Sequence, residues 1–195
     1  MDMDRSCGDC IRVVHPLFQK EGGGSIPTSP LQLHVGEITL DLAMQLNELW
    51  HSRFPITNKS NLSRVRYGVN YGAEFDGKFY ACAIWTSPIA SNRLKDGLRA
   101  LELRRFAIAS DVPKNSASRI LSIMTRLIQK KGFDINRFIS YQDTEVHNGI
   151  IYKAAGWNSV GKQEFQEWTT GTRKRSASQS KSPKIRWEYN LKSKA

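Results

Sequence analysis

The spacing of hydrophobic positions changes several times along this chain, and each change marks an element. Leu31, Leu33 and Val35 alternate with Gln32, His34 and Gly36, the period-two pattern of a half-buried strand over Leu31–Glu37. Thr39 precedes Leu40–Trp50, where Leu42, Leu46 and Leu49/Trp50 recur at helical spacing, so a helix is expected there, ending before Pro55. Arg66–Phe75 and Lys78–Trp85 read as antiparallel strands joined across Asp76-Gly77, a dipeptide that supplies the positive φ angles of a tight hairpin. Ser87–Gly97 is polar, contains Pro88 and reads as a surface excursion.

Leu101–Ala109 (LELRRFAIA) starts as an alternation and becomes apolar, as a central strand does when it emerges toward a site. On that alternation Glu102 and Arg104 face away from Leu101 and Leu103, while Arg105 falls with the leucines. Pro113 ends the strand, and Ser116 or Ser118 is placed to cap a helix over Ala117–Lys131, whose stripe is Ile120, Ile123/Met124, Leu127 and Ile128. Phe138–Tyr141 reads as a short buried strand and Glu145–Ala155 as a second helix closed by Gly156. Trp157–Gly161 and Gln163–Thr169 read as closing strands, and Ile185–Leu191 regains alternation around Trp187 and Tyr189, enough to dock back. Strand, turn, helix, strand, helix is a βαβ-type core, so the fold class is α/β with a mixed sheet flanked by helices.

With 195 residues the chain supports one full core. The division expected is a partly loose extension over 1–30, which includes the loop Glu21–Pro30, a catalytic domain over 31–170 and a basic tail over 171–195. Apolar stretches fall short of the roughly 20 residues that a membrane crossing needs, and the first 15 residues carry three Asp, so a cytoplasmic setting without a membrane partner is expected. Cys82 reads as a buried thiol; Cys7 and Cys10 form a lone CxxC, a weak metal or redox signal.

Charge sharpens the picture. The net +11 is distributed as −2 over residues 1–60, +4 over 61–110, +3 over 111–160 and +6 over 161–195. A positive field that grows along the chain suits a polyanion, because neutralising phosphates releases counterions. Arg173, Lys174, Arg175, Lys181, Lys184 and Arg186 are the candidates for contact with double-stranded DNA, with Lys130 and Lys131 able to extend the footprint; a merely solvated tail is the plain alternative. Arg104 and Arg105 are candidates for phosphate contact or for ion pairing with Glu102. Ser110–Arg119 is an anion-binding turn in prospect, since a helix start offers bare N–H groups and Ser116, Ser118 and Arg119 add donors. Asp143 follows the strand at Phe138–Tyr141, where it faces a cleft or caps the next helix.

ELRRFAI, PKNSASRILS, SYQD and GIIYKAAGW, in that order, resemble the Mom-like family of bacteriophage adenine-modification proteins, over about Trp50 to Gly161. The resemblance implies an N-acyltransferase (GNAT-like) fold, an acyl donor such as acetyl-CoA, and transfer to adenine N6 in phage DNA to give a carbamoylmethyl form that evades host restriction. It permits iron and leaves a homodimer open. It implies donor binding by Phe106, Ala107, Ile108, Asn115, Ser116, Ser118 and Arg119, with Asn115–Arg119 where general N-acetyltransferases carry a glycine-rich turn. Tyr152 matches the tyrosine that protonates the departing thiolate, although a core tyrosine with a satisfied hydroxyl fits the same position. His51 is the candidate base, and His147 lines the site from the start of the second helix, about 140° around it from Tyr152. Two other readings fit the chain: a general N-acetyltransferase for a protein or small amine, and a non-catalytic DNA-binding protein on the same fold. Adenine within a duplex has to be extruded before its amine can react.

Overall fold

The computed structural model describes residues 25–51, 68–88, 99–163 and 182–191. The tail cations Arg173, Lys174, Arg175 and Lys181, the Cys7/Cys10 pair and most of Gln163–Thr169 lie outside the described residues.

The chain folds as β1 (His34–Glu37), α1 (Leu40–Trp50), β2 (Gly68–Phe75), β3 (Lys78–Thr86), β4 (Ala100–Ile108), α2 (Ser116–Lys130), β5 (Arg137–Asp143), α3 (Ile150–Ala154), β6 (Asn158–Gln163) and β7 (Lys184–Asn190). A 3-10 turn over Pro30–Gln32 precedes β1. The strand expected over Leu31–Glu37 is therefore shorter. Ser29 caps the turn, Gln32 bonds back to the Ser29 N–H, and Pro30 at its start supplies the helical φ; this local capping box outweighs the alternation and leaves Leu31 73% exposed. The α1 helix has the expected bounds, with Thr39 Oγ1 accepting the Leu42 N–H at 3.3 Å. The β2–β3 hairpin turns at Asp76 and Gly77 with φ of 52° and 74°.

The seven strands form one sheet in the order β1-β2-β3-β4-β5-β7-β6. All neighbours are antiparallel except β4 and β5. A parallel pair needs a crossover, and α2 provides it on one face. There Ile120, Leu121, Met124 and Ile128 pack on Trp85, Leu101, Leu103 and Phe138, all at most 4% exposed. The other face carries α1, whose Leu42, Ala43 and Leu46 cover Cys82, Ile84 and Ala107.

The last strand is the largest departure from the expected domain plan. β7 is hydrogen-bonded to β5 along Arg137–Asp143 on one side and to β6 on the other. The segment Lys184–Asn190 is thus an interior strand of the domain and not part of a tail, and Trp187 is buried in the core at 3% exposure. Its aromatic alternation matters more than the cations beside it.

A chain ended at residue 181 is expected to lose the cooperative thermal transition in circular dichroism, because β6 loses its partner and β5 one of its two. Retention of a sharp transition would show instead that β7 is dispensable. Leu121→Ala, at a fully buried position, should cost about 2–5 kcal/mol in urea unfolding.

Candidate active site

The site begins at an irregularity in β4. Leu103 pairs with Trp85 and Arg105 with Ile84, so Arg104 is an extra residue, a β-bulge, on β4. One added residue reverses the side-chain phase. Arg105 therefore shares the α1 face with its partner Ile84, opposite to the placement with the leucines that simple alternation gives. The bulge also marks where β4 leaves β5: their pairing runs from Ala100–Arg137 to Leu103–Ser140 and stops. Arg104–Ile108 continues along β3, while Tyr141–Asp143 continues along β7. The sheet splits there.

On the α2 face, Ser140 and Tyr152 stand at the apex of the gap. Their hydroxyls are 2.8 Å apart, and Ser140 Oγ also donates toward the Leu103 carbonyl at 3.5 Å. Tyr152 is 7% exposed and stacks on Trp187 with centroids 5.3 Å apart. Burial raises its phenol above the usual tyrosine value, and the Ser140 hydrogen bond partly offsets the rise. Its hydroxyl is therefore satisfied at rest.

The helix that carries Tyr152 is shorter than the expected Glu145–Ala155, spanning Ile150–Ala154 after Gly149 at φ 74°. Asp143 explains part of this, since its carboxylate accepts the Glu145 N–H at 3.1 Å and its carbonyl accepts the His147 N–H at 3.0 Å, closing a turn in place of a first helical turn. Asp143 thus closes a turn and caps no helix, the N-cap of α3 being Gly149. His147 consequently lies in that turn, exposed, and the 140° helical relation to Tyr152 does not apply. Gln142 fixes the turn from below, donating to the His147 carbonyl and accepting from Trp187 Nε1 at 2.7 Å.

At the start of α2 the N-cap is Asn115 in the left-handed region, and no side chain caps the helix. The serines do not act as expected: Ser118 Oγ donates to the Asn115 carbonyl at 3.1 Å, and Ser116, 1% exposed, has its Oγ without a partner. Because Ser118 does not turn back onto the helix start, the first-turn N–H groups stay uncapped by side chains. Arg119 donates through Nε to the Pro30 carbonyl at 3.0 Å, which holds the 3-10 turn against the helix. Between them lies an open, shallow depression of about 300 Å³ lined by Pro30, Leu31, Asn115, Ser118, Arg119 and Ala154. It joins the helix start to the end of α3. Phe106 and Ile108, beyond the bulge, pack against this face, and Ala107 against the other.

On the α1 face, His51 is the C-cap of α1. Burial, then the charge of Arg105, then His147, lower its pKa to about 4, so the three predicted residues share one electrostatic neighbourhood and His51 is neutral at pH 7. Burial and Arg104 bring Arg105 down to about 10, still charged, with Glu102 acting in the opposite sense. Arg104 itself lies 3.7 Å from Glu102, both side chains nearly buried. Arg186 contacts Glu188 at 3.0 Å without hydrogen-bond alignment, and Arg137 lies 3.7 Å from the same carboxylate. For Arg104 and Arg186, ion pairing within the sheet is thus the observed state. Lys131 pairs with Glu37 at 2.6 Å. Among the described residues no three His, Cys, Asp or Glu side chains converge.

Ser140, Gln142 and Gly149 lie inside the SYQD and GIIYKAAGW motifs and Trp187 in an alternating segment, but residue patterns assigned none of the four a role in the site.

Solved structures with a similar architecture include acetyltransferases. The ribosomal-protein-S18-alanine N-acetyltransferase from Escherichia coli superposes with a TM-score of 0.59 at 15% identity, covering 84% of this chain and 96% of that one. A GNAT-family acetyltransferase from Streptococcus pneumoniae gives 0.57 at 14%, covering 82% and 99%. An acetyltransferase from Bacillus subtilis in complex with CoA gives 0.53 at 12%, covering 82% and 98%. The split sheet is therefore a GNAT-type fold. The model of the Mom protein family matches residues 32–193, and the chain belongs to that family. A search of curated proteins gives no match.

A Cβ on Gly149 would meet Gln142 Oε1 at 2.5 Å and Trp187 Cζ2 at 2.6 Å, at a φ of 74°. Gly149→Ala is expected to cost about 2–4 kcal/mol in urea unfolding; a change under about 0.5 kcal/mol would show that the turn is looser than its geometry. His51 supplies a pH test. A base whose folded pKa of about 4 lies below its ordinary 6.5 contributes fully above pH 6.5 and costs stability as pH falls toward 4. Urea midpoints should fall across that window and fall less in His51→Gln, by an amount that solvent around the half-buried ring reduces.

Proposed function

We propose that this protein modifies adenine N6 in double-stranded DNA, using an acyl donor of the coenzyme A type, to give the carbamoylmethyl form that protects phage DNA from host restriction. The observation that carries the reading is the split between β4 and β5 at the Arg104 bulge, with different chemistry on its two sides. On the α2 side, the bare N–H groups of α2 and the adjoining depression suit the phosphates of a donor. Phe106–Ile108 would line its path to the gap. On the α1 side stand His51, Arg105 and His147, where an extruded base and its phosphate would arrive.

The chemistry follows from these positions. The exocyclic amine of adenine is a weak nucleophile and becomes acidic only as it attacks the donor carbonyl. His51, neutral but of low basicity, is matched to accept a proton from such an acidified amine and not from the resting one. Tyr152 would protonate the departing thiolate, whose conjugate acid has a pKa near 8.5, below that of the phenol. Asp143 supports the reaction by holding the turn that carries His147. Arg105, Lys184 and the basic residues 173–181 would neutralise phosphates without reading sequence. The reading places the protein in the cytoplasm of the host, where the DNA is.

A carbamoylmethyl adenine has nitrogen bonded to CH2, which acetyl transfer does not produce. A glycyl-type donor gives an isomer of that product, so a rearrangement after transfer would complete it.

The resemblance in fold to the E. coli S18-alanine enzyme supports a second reading, acetylation of a protein amine. Nucleosides from DNA of cells expressing the protein separate the two. Mass spectrometry with fragmentation should show a modified deoxyadenosine, carbamoylmethyl and not its glycyl isomer, reduced at least about a hundredfold by Tyr152→Phe. Unmodified DNA alongside acetylated protein termini would establish the second reading.

A further inference from the structure

The mechanism leaves a charge unaccounted for. When Tyr152 gives up its proton it becomes a phenolate inside the protein, stacked on Trp187 and edge-on to Trp157, at 7% exposure. A buried anion without a hydrogen-bond donor is costly. The group facing it is Ser140, 2% exposed, with Oγ 2.8 Å from the phenol oxygen.

Ser140 has two places to send its single proton. The Leu103 carbonyl, 3.5 Å away, can only accept. While Ser140 donates there, the short contact must have Tyr152 as donor, which keeps the phenol proton on the Ser140 side. Once the Ser140 hydroxyl rotates, it donates to the Tyr152 oxygen and the phenol proton is released to a third group. The 2.8 Å contact is kept with its direction reversed, and what is given up is the 3.5 Å bond, at the limit of a hydrogen bond. The reversed bond runs to a charged oxygen and is the stronger for it, which offsets that loss and stabilises the state in which Tyr152 has donated.

From this geometry we infer that Ser140 is the positioning residue of the transfer, turning its hydroxyl from the Leu103 carbonyl to Tyr152 as Tyr152 protonates the departing thiolate. The inference rests on the acyl-transfer reading above. In the step, the bond from the donor carbonyl carbon to sulfur breaks and the adenine nitrogen bonds to that carbon. The amine proton goes to His51. The Tyr152 O–H bond breaks, S–H forms, and the phenolate is held by the Ser140 O–H until solvent returns a proton. Because Ser140 is the last residue of β5 paired with β4, its hydroxyl sits where the gap opens.

Two measurements on the full chain test this, in the Ser140→Ala and Ser140→Thr variants. Tyrosines labelled at 13Cζ are titrated over the alkaline range in which near-ultraviolet circular dichroism shows the fold intact, and Tyr152 is assigned by its loss in Tyr152→Phe. The phenolate fraction of Tyr152 at the top of that range is expected to be smaller in Ser140→Ala than in wild type and restored in Ser140→Thr. In cells, the rate at which modified deoxyadenosine accumulates should fall about ten- to a hundredfold in Ser140→Ala, the loss of a hydrogen bond to a charged group, and recover in Ser140→Thr. Identical Tyr152 titration in wild type and Ser140→Ala would overturn the inference. So would undiminished modification by Ser140→Ala. If the wild type modifies no DNA, the functional reading fails on its own, and the titration still decides whether Ser140 governs the Tyr152 proton.

Discussion

One extra residue in β4 governs the arrangement of everything around it. A regular β4 would pair with β5 along its whole length, and a sheet fully bonded at its centre has no opening. Arg104 breaks the register, the strands part after Leu103 and Ser140, and the backbone beyond them no longer pairs between β4 and β5. The same insertion turns Arg105 toward α1, which puts its charge beside His51. A single change in strand phase thus makes both the split and the polarity of one of its sides.

The rest of the fold holds that split at a fixed width. β3 supports one wall and is covered on both faces, by α1 through Ile84 and Cys82 and by α2 through Trp85 and Ala83. β7 supports the other wall, and its Trp187 reaches through Gln142 to the turn that precedes Tyr152. The Thr144 hydroxyl, bonded to the Pro183 carbonyl at 2.9 Å, ties the same turn to the entry of β7. Tyr152 is therefore placed less by its own five-residue helix, too short to be stable by itself, than by a strand that arrives last in the sequence.

This explains which features were legible in the sequence. α1, the β2–β3 hairpin, β4 and α2 are specified locally, by a threonine cap, an Asp-Gly turn, a break at Pro113 and a clear apolar stripe, and their residue patterns sufficed. The Pro30–Gln32 turn is local too, but Ser29 and Gln32 compete with an alternation that spans the same residues, and the capping signal is the weaker to the eye. The role of Lys184–Asn190 is not local. Its cations read as a tail, because whether a strand inserts between β5 and β6 depends on partners more than twenty residues away. Arg105 was misplaced for a sharper reason: a bulge leaves no mark in hydrophobic periodicity, since it is the periodicity itself that it interrupts. Tyr152 could be named from motif order, whereas the partners of Ser140 and Gln142, twelve and forty-five positions further along the chain, become visible only when the chain is folded.

The two histidines and the tyrosine are held by unequal means, which bears on how the site would work. Tyr152 is packed against Trp157 and Trp187 and bonded to Ser140, so its position costs little further at the moment of reaction. His51 is half-buried beside a guanidinium that already discourages its protonation. Bringing a phosphate to Arg105 would relieve that repulsion and raise the basicity of His51. A nucleic acid substrate would in this way improve the group that deprotonates it, whereas an uncharged amine would leave His51 as weak as it is at rest. On the proposed reading, the α1 face would in this respect suit an acceptor that carries its own negative charge, although burial, the larger cause of the weak basicity of His51, would persist.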